Sequence, residues 1–208
     1  MAHNNIIQFT KTTKAREGRD NQVYSAKTGA RLIAGCVALN EDKTKLIMVT
    51  SAKHKNRWII PKGGIEKDEE NDYAITAIRE TWEEAGIIGN ILLKLTPVED
   101  HRFVKELDEG QKAFIDVNNM DDDLSKIPRS EFHFYEMEVK ELCQEWPESD
   151  TRDRRWCTYS EAKHELTKAK RPELLLALNE SSIRKDIEDV DVDPHGNIID
   201  KHMEVDNY

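Results

Sequence analysis

"PKGGIEKDEENDYAITAIRETWEEAGI", residues 61–87, decides how this chain is read. Two glycines follow a lysine, and the stretch closes with Arg79, Glu80, Glu83 and Glu84 inside six residues. From Ala74 to Ala85 small or apolar positions recur at helical spacing. At roughly 100° per residue, with Glu80 set to 0°, Glu84 falls near 40°, Glu83 near 300° and Arg79 near 260°. Ala74, Ile78, Thr81, Trp82 and Ala85 gather between about 100° and 200°. The spacing predicts a helix over 74–85 with one buried face and one face of three carboxylates, ended by Gly86.

That acidic face is costly by itself. Glu80 and Glu84 are an i,i+4 like-charge pair, worth about a few tenths of a kcal/mol against an isolated helix. Glu83 adds a third charge, which Arg79 offsets in part. A solvated ladder of ion pairs would use the same residues. The neighbouring Lys-Gly-Gly turn favours another use. Carboxylate oxygens near backbone carbonyls suit a hard cation such as Mg²⁺, which keeps several waters. Metal chemistry on phosphates follows from such a site.

Outward from the helix, 31–40 and 45–51 are apolar runs of strand length joined by a "EDKT" turn. Residues 57–61, 87–100 and 131–139 also have strand character. Residues 101–130 read as a long loop without its own period. A helix is expected over 160–170 with Ser160 as N-cap, and another over 171–185 with Pro172 at its start. Strands mixed with helices in this order give an α/β or α+β sheet domain. The expected organisation is a flexible arm at 1–20, a domain at 21–185 and a disordered acidic tail at 186–208.

Hydrophobic residues make up 38% of the 208-residue chain and charged residues 35%, enough for one core under a polar surface. No apolar run is long enough for a membrane span, and the start lacks a signal-peptide pattern. Three cysteines without a pairing motif imply a reducing compartment, cytoplasm or nucleus. The net charge of -10 is unevenly spread. Residues 1–62 hold twelve Lys/Arg against four Asp/Glu, whereas 186–208 hold eight acids and one lysine. A polyanionic partner is therefore compatible with the amino-terminal third.

Gly63, Glu69 and "RETWEEAGI" (79–87) resemble the Nudix box, G-x5-E-x7-R-E-U-x-E-E-x-G-U. Nine residues separate Glu69 from Arg79 where the box has seven, and Gly64 with Glu70 would leave eight. Which of the two acids takes the box role stays open. Thr81 stands where an aliphatic residue is usual. The flanks "GARLIAGCVAL", "TSAKHKNRWIIPKGG", "RSEFHFYEMEV", "RRWCTYSEA" and "AKRPELLLAL" resemble the diphosphoinositol polyphosphate phosphohydrolases, fungal members active on diadenosine and diphosphoinositol polyphosphates above all.

The resemblance implies a Nudix α/β/α sandwich with a mixed sheet, its box at 63–87, and hydrolysis of phosphoanhydrides with Mg²⁺, Mn²⁺ or a similar ion. It makes Glu80 and Glu84 metal ligands, with the Gly63 carbonyl, Glu83 the general base and Arg79 the residue that orients the glutamates. For the substrate it points to Arg31, Ser51, Lys53, Arg57, Lys62, Gly64, Arg129, Arg152 and Arg171. The implied partners are polyanionic small molecules: inositol pyrophosphates, dinucleoside polyphosphates and linear polyphosphate. A monomer is expected, without a membrane or a stable nucleic-acid partner.

Two other functions fit parts of the sequence. One is a nucleotide-preferring Nudix enzyme acting on dinucleoside polyphosphates or RNA caps. It would need an aromatic platform for the base, for which Trp58, Tyr73, Phe103 and Phe114 are candidates. The other is a non-catalytic module that binds inositol pyrophosphates, against which the complete Glu80, Glu83 and Glu84 set argues.

Overall fold

The computed structural model describes residues 10–102, 106–118, 127–186 and 192–199. Along the chain the elements are β1 (Arg31–Leu39), β2 (Lys45–Thr50), β3 (Trp58–Ile59), β4 (Lys62–Gly64), α1 (Tyr73–Ala85), β5 (Ile87–Lys94), β6 (Val98–Asp100), α2 (Glu109–Asn118), β7 (Ser130–Leu142), β8 (Arg154–Thr158), α3 (Tyr159–Lys168) and α4 (Pro172–Glu180).

The strands form one mixed sheet ordered β3-β2-β1-β7-β5, with β4 on β1, β6 on β7 and β8 on β2. β1 runs parallel to β7, in register from Arg31–Ser130 to Leu39–Glu138. The other pairings are antiparallel. β1 is buried along nearly its whole length, as a strand with both faces covered must be. Cys36 Sγ donates to the carbonyl of Ala77 at 3.5 Å, which turns this side of β1 towards α1. Strand alternation puts Ala34 and Ala38 on that side too, and their small side chains let α1 come close. The mixed sheet with its helices is the α/β class expected.

Both ends of α1 are set by local chemistry. Asp72 accepts from the N–H of Ala74 at 3.0 Å as N-cap. Gly86 closes the helix in the left-handed region at φ 63°, its N–H donating to Trp82 O. Arg154 Nη1 then donates to the Ala85 carbonyl at 2.6 Å, and its guanidinium stacks 4.3 Å over Trp146. The last carbonyl of α1 is thereby satisfied from β8, and that of Glu83 accepts from the Glu148 N–H.

The structure departs from sequence expectation in several places. Lys62–Gly64 is a strand on β1 rather than a free glycine turn. A β-carbon at Gly35 would lie 2.3 Å from Pro61 O, so only glycine permits this approach. The stretch 87–100 breaks into β5 and β6 around Leu95 to Pro97. The presumed loop 101–130 contains α2, which packs Ile115 with Leu107 and Ile127; residues 103–105 and 119–126 lie outside the described residues. Thr158, not Ser160, caps α3. Thr158 Oγ1 accepts from Glu161 N and Glu161 Oε2 from Thr158 N, a reciprocal capping box.

Parts of the terminal segments are also described. Residues 12–16 of the arm lie against α1, where Trp82 Nε1 donates to Thr12 O at 3.0 Å. Of the acidic tail, 192–199 form a turn on α3, held by Lys168 Nζ to Asn197 Oδ1 at 2.9 Å and by His164 Nε2 to Gly196 O at 2.9 Å. Residues 1–9, 187–191 and 200–208 fall outside the described residues. Among those described, no helix is long and apolar enough to cross a membrane.

Candidate active site

The acidic face of α1 is not in solvent. Arg79, Glu83 and Glu84 are buried, and the side chain of Glu80 is only 13% exposed. The strand β4, the arm and the segment before β8 cover it. A solvated ladder is thus excluded, and the carboxylates must be compensated inside the fold.

Arg79 supplies most of that compensation. Its Nε donates to Glu69 Oε1 at 2.7 Å and its Nη2 to Glu69 Oε2 at 2.9 Å, a two-pronged pair. Nη1 reaches Glu80 Oε1 at 2.7 Å and Glu83 Oε2 at 3.2 Å, and Nη2 also reaches Gly64 O at 3.1 Å. Burial opposes the Arg79 cation, but the three carboxylates outweigh it and hold its pKa above the ordinary arginine value. Burial likewise opposes the Glu69 anion; Arg79 and a 2.6 Å hydrogen bond from Thr76 overcome this and lower its pKa. The question between Glu69 and Glu70 is therefore decided: Glu69 is buried on Arg79, and Glu70 is exposed. The longer loop folds through turns from Glu66 to Asp72 and still delivers Glu69 to the guanidinium.

Glu84 belongs to a second network. Arg152 Nη2 donates to Glu84 Oε1 at 2.5 Å, Nη1 donates to Thr50 O at 2.8 Å, and Nε pairs with Glu148. The Lys62 N–H donates to Glu84 Oε2 at 2.9 Å, tying β4 to the helix. Gly63 lies directly over Glu80: a β-carbon there would fall 2.1 Å from its carboxylate, so any side chain would displace it. A β-carbon at Gly64 would meet the Gln22 amide at 2.4 Å.

The cations form two groups. Burial, with the charges of Arg171 and Arg152 against Glu84, lowers the Lys62 ammonium to about 8. Burial, then the charges of Arg19 and, more weakly, Arg129, lower Arg31, whose Nη1 donates to Gln22 Oε1. Arg129 N donates to Asp100 O. Arg171 precedes α4 and pairs with Glu173, which also takes Arg102 at 3.1 Å. Lys62 and Arg31, whose charged forms burial disfavours, would each be relieved by an anion beside them. Ser51, Lys53 and Arg57 lie on the loop between β2 and β3, which begins next to Thr50, the partner of Arg152; Lys53 and Arg57 are exposed. A cleft of ≈ 890 Å³ lined by Thr96, His101, Glu131 and Glu180 among others shares no lining residue with the glutamates.

Among the described residues, no three acidic, imidazole or thiol groups converge on one point as a closed metal cage. Mg²⁺ does not need one, since it is held through one or two carboxylates, waters and substrate phosphates. The donor set fits such an ion. Burial raises the carboxyls of Glu80, Glu83 and Glu84, and a divalent cation would relieve that cost. Glu83 Oε1 is buried and, among the described residues, has no hydrogen-bond partner.

A pH dependence follows for the metal-free protein. Burial pushes the Glu80 carboxyl up to about 8; Arg79 opposes this, and Glu84 and Glu83 add to it. The folded state then binds more protons than the unfolded chain from about pH 4.5 to 8, so this group makes stability fall as pH rises through that window. Glu80→Gln removes the effect. Metal-free thermal melts should show the variant gaining on wild type from about pH 5 to about pH 8. Parallel Tm–pH curves for the two proteins would rule Glu80 out as the responsible group.

Comparisons with known proteins bear on the family and the fold. A family model described as NUDIX domain matches residues 29–178. Nudix hydrolase 16, mitochondrial, of Arabidopsis thaliana is 32% identical over 160 residues, covering 71% of this chain and 78% of that protein. Diphosphoinositol polyphosphate phosphohydrolase 3-alpha of Homo sapiens is 28% identical over 137 residues, covering 64% of this chain and 68% of its own length. In fold, a NUDIX hydrolase from Nitrosomonas europaea aligns with a TM-score of 0.54 at 11% identity, over 73% of this chain and 87% of that one.

Proposed function

Given that this chain belongs to the Nudix family, we propose that it hydrolyses the phosphoanhydride bonds of diphosphoinositol polyphosphates, and also those of diadenosine polyphosphates and linear polyphosphate. Nudix hydrolases generally use divalent ions such as Mg²⁺ and act on small polyphosphate substrates. The observation that carries the finer reading is a buried glutamate cluster with cations from several elements near it: the Lys62 N–H and Arg152 both bond Glu84, and Lys62 feels the charge of Arg171. A diphosphoinositol presents phosphates in every direction, and cations from several elements match it better than one nest would. The human relative that carries the diphosphoinositol name supports the same substrate class.

In this reading Glu80, Glu84 and the Gly63 carbonyl hold the ion. When bound, it supplies charge neutralisation on the phosphates and a more acidic water. Glu83 accepts the proton of the attacking water. Its Oε2 is held by Arg79 and by the Arg16 N–H, each at 3.2 Å, which leaves Oε1 for the water. Arg79 and Glu69 keep the carboxylates in place, and Arg152 holds Glu84.

The aromatic side chains argue against a nucleotide preference. Arg155 stacks 4.2 Å over Trp58, Tyr73 packs edge-on against His133 at 4.7 Å, and Phe114 lies against Gly29. Each of these three rings already has a partner; Phe103 is outside the described residues.

The test is kinetic. Lys53→Ala, Lys62→Ala and Arg171→Ala should each raise KM more for a diphosphoinositol polyphosphate than for a diadenosine polyphosphate, which has fewer phosphates to lose. Equal effects on both substrates would show that these cations do not select the inositol ligand.

A further inference from the structure

Residues 11–16 cross α1 beside the proposed base. Trp82 is buried beneath them: its Nε1 donates to Thr12 O, and Lys11 Nζ stands 5.6 Å from the ring centroid. Arg16 is where the segment meets the site. Its backbone N–H donates to Glu83 Oε2 at 3.2 Å. Its Nη1 lies 2.9 Å from Glu66 Oε2, 3.1 Å from both Asp68 oxygens and 3.7 Å from Glu69 Oε1. One residue thus joins Glu83 to three acids of the loop between β4 and α1, the loop that is longer than the box pattern allows.

We propose that Arg16 is a positioning residue for the reaction: its N–H fixes the Glu83 carboxylate so that Oε1 faces the water, and its guanidinium anchors the loop that carries Glu69. This rests on Glu83 being the base. A glutamate carboxylate turns freely about its last torsion, which is broad. Two donors from different elements, Arg79 Nη1 and Arg16 N, converge on Oε2 and leave one orientation. Removing one donor frees the rotation, and misplacement on that scale is enough to slow a positioned proton transfer. The guanidinium has a separate task. Without it, Glu66 and Asp68 repel each other on a loop that must hold Glu69 against Arg79.

Backbone and side chain can be separated by two substitutions. Arg16→Ala loses the guanidinium and keeps the N–H; Arg16→Pro loses both. Each is made in the wild-type and Glu83→Gln backgrounds and assayed at saturating Mg²⁺ and diphosphoinositol polyphosphate, with thermal melts beside every assay. In the wild-type background Arg16→Pro should have kcat about tenfold below Arg16→Ala, with KM within about twofold. In the Glu83→Gln background the two should turn over alike, because the group being positioned is gone. Deletion of residues 1–17 removes the same donor without introducing proline and should lower kcat at least as far. Equal kcat for Arg16→Pro and Arg16→Ala, or the same ratio in both backgrounds, would reduce the arm to a cover over Trp82. Near wild-type kcat in Glu83→Gln alone would overturn the base assignment, and the positioning role with it. A large loss in Glu83→Gln with no loss in the Arg16 variants would overturn the positioning role only.

Discussion

Glu83→Gln is expected to lower kcat by a factor of about 10²–10⁴, the usual scale for a positioned base, while the fold and KM change little. The amide is nearly isosteric. Its oxygen can still accept from Arg79 Nη1 and from the Arg16 N–H, so neither donor is stranded. Burial already raises the Glu83 carboxyl, so losing the charge relieves a cost rather than creating one. The variant should melt no lower than wild type. What it loses is the ability to take a proton at Oε1, the oxygen without a partner among the described residues. Initial rates at saturating Mg²⁺ beside a thermal melt measure both. Near wild-type turnover would remove Glu83 from the base role.

Arg79→Ala should give the largest loss of stability. Removing the guanidinium leaves Glu69, Glu80 and Glu83 buried without their shared cation. Breaking one partner out of a buried ion pair costs about 3–5 kcal/mol, because the other charge stays behind. For a domain of this size that lowers Tm by on the order of 10 °C, and activity should vanish as the three carboxylates lose their common anchor. Arg79→Lys should rescue neither property fully, since one ammonium cannot reproduce the two-pronged bond to Glu69 while reaching Glu80 and Glu83. Differential scanning calorimetry at neutral pH provides the check. A drop in Tm of less than about 2 °C for Arg79→Ala would mean that the cluster is held by something else.

The helix at the centre of this site was legible because its signals are local. The 3.6-residue period, the Arg-Glu pair and Gly86 lie within one stretch, and the structure places the helix at Tyr73–Ala85 with Gly86 in the left-handed region. The strands of β1, β2 and β7 were legible for the same reason. The angular reading also put Glu80, Glu83 and Glu84 on one face correctly. It could not say that this face is covered, because the covering groups come from far along the chain. Arg152 is 68 residues from Glu84, and Arg16 is 67 from Glu83. No local pattern announces such pairs.

Glu69 shows the same limit. Box spacing alone left it level with Glu70, and only the turns of the loop decide which carboxylate faces Arg79. Helix α2 was missed because its apolar face is slight, resting on Ile115 and a small cluster. The cap of α3 was a different kind of miss. Thr158 and Glu161 carry the Thr-x-x-Glu signature of a capping box, a stronger local signal than the lone Ser160.

One comparison tests the proposed substrate choice directly. Purified protein with Mg²⁺ is given a diphosphoinositol polyphosphate and a diadenosine polyphosphate side by side, and kcat/KM is measured for each. The expected result is a higher kcat/KM for the diphosphoinositol polyphosphate, with turnover of both abolished by chelation of the metal. A higher value for the dinucleotide, or no hydrolysis of the inositol substrate at all, would contradict it.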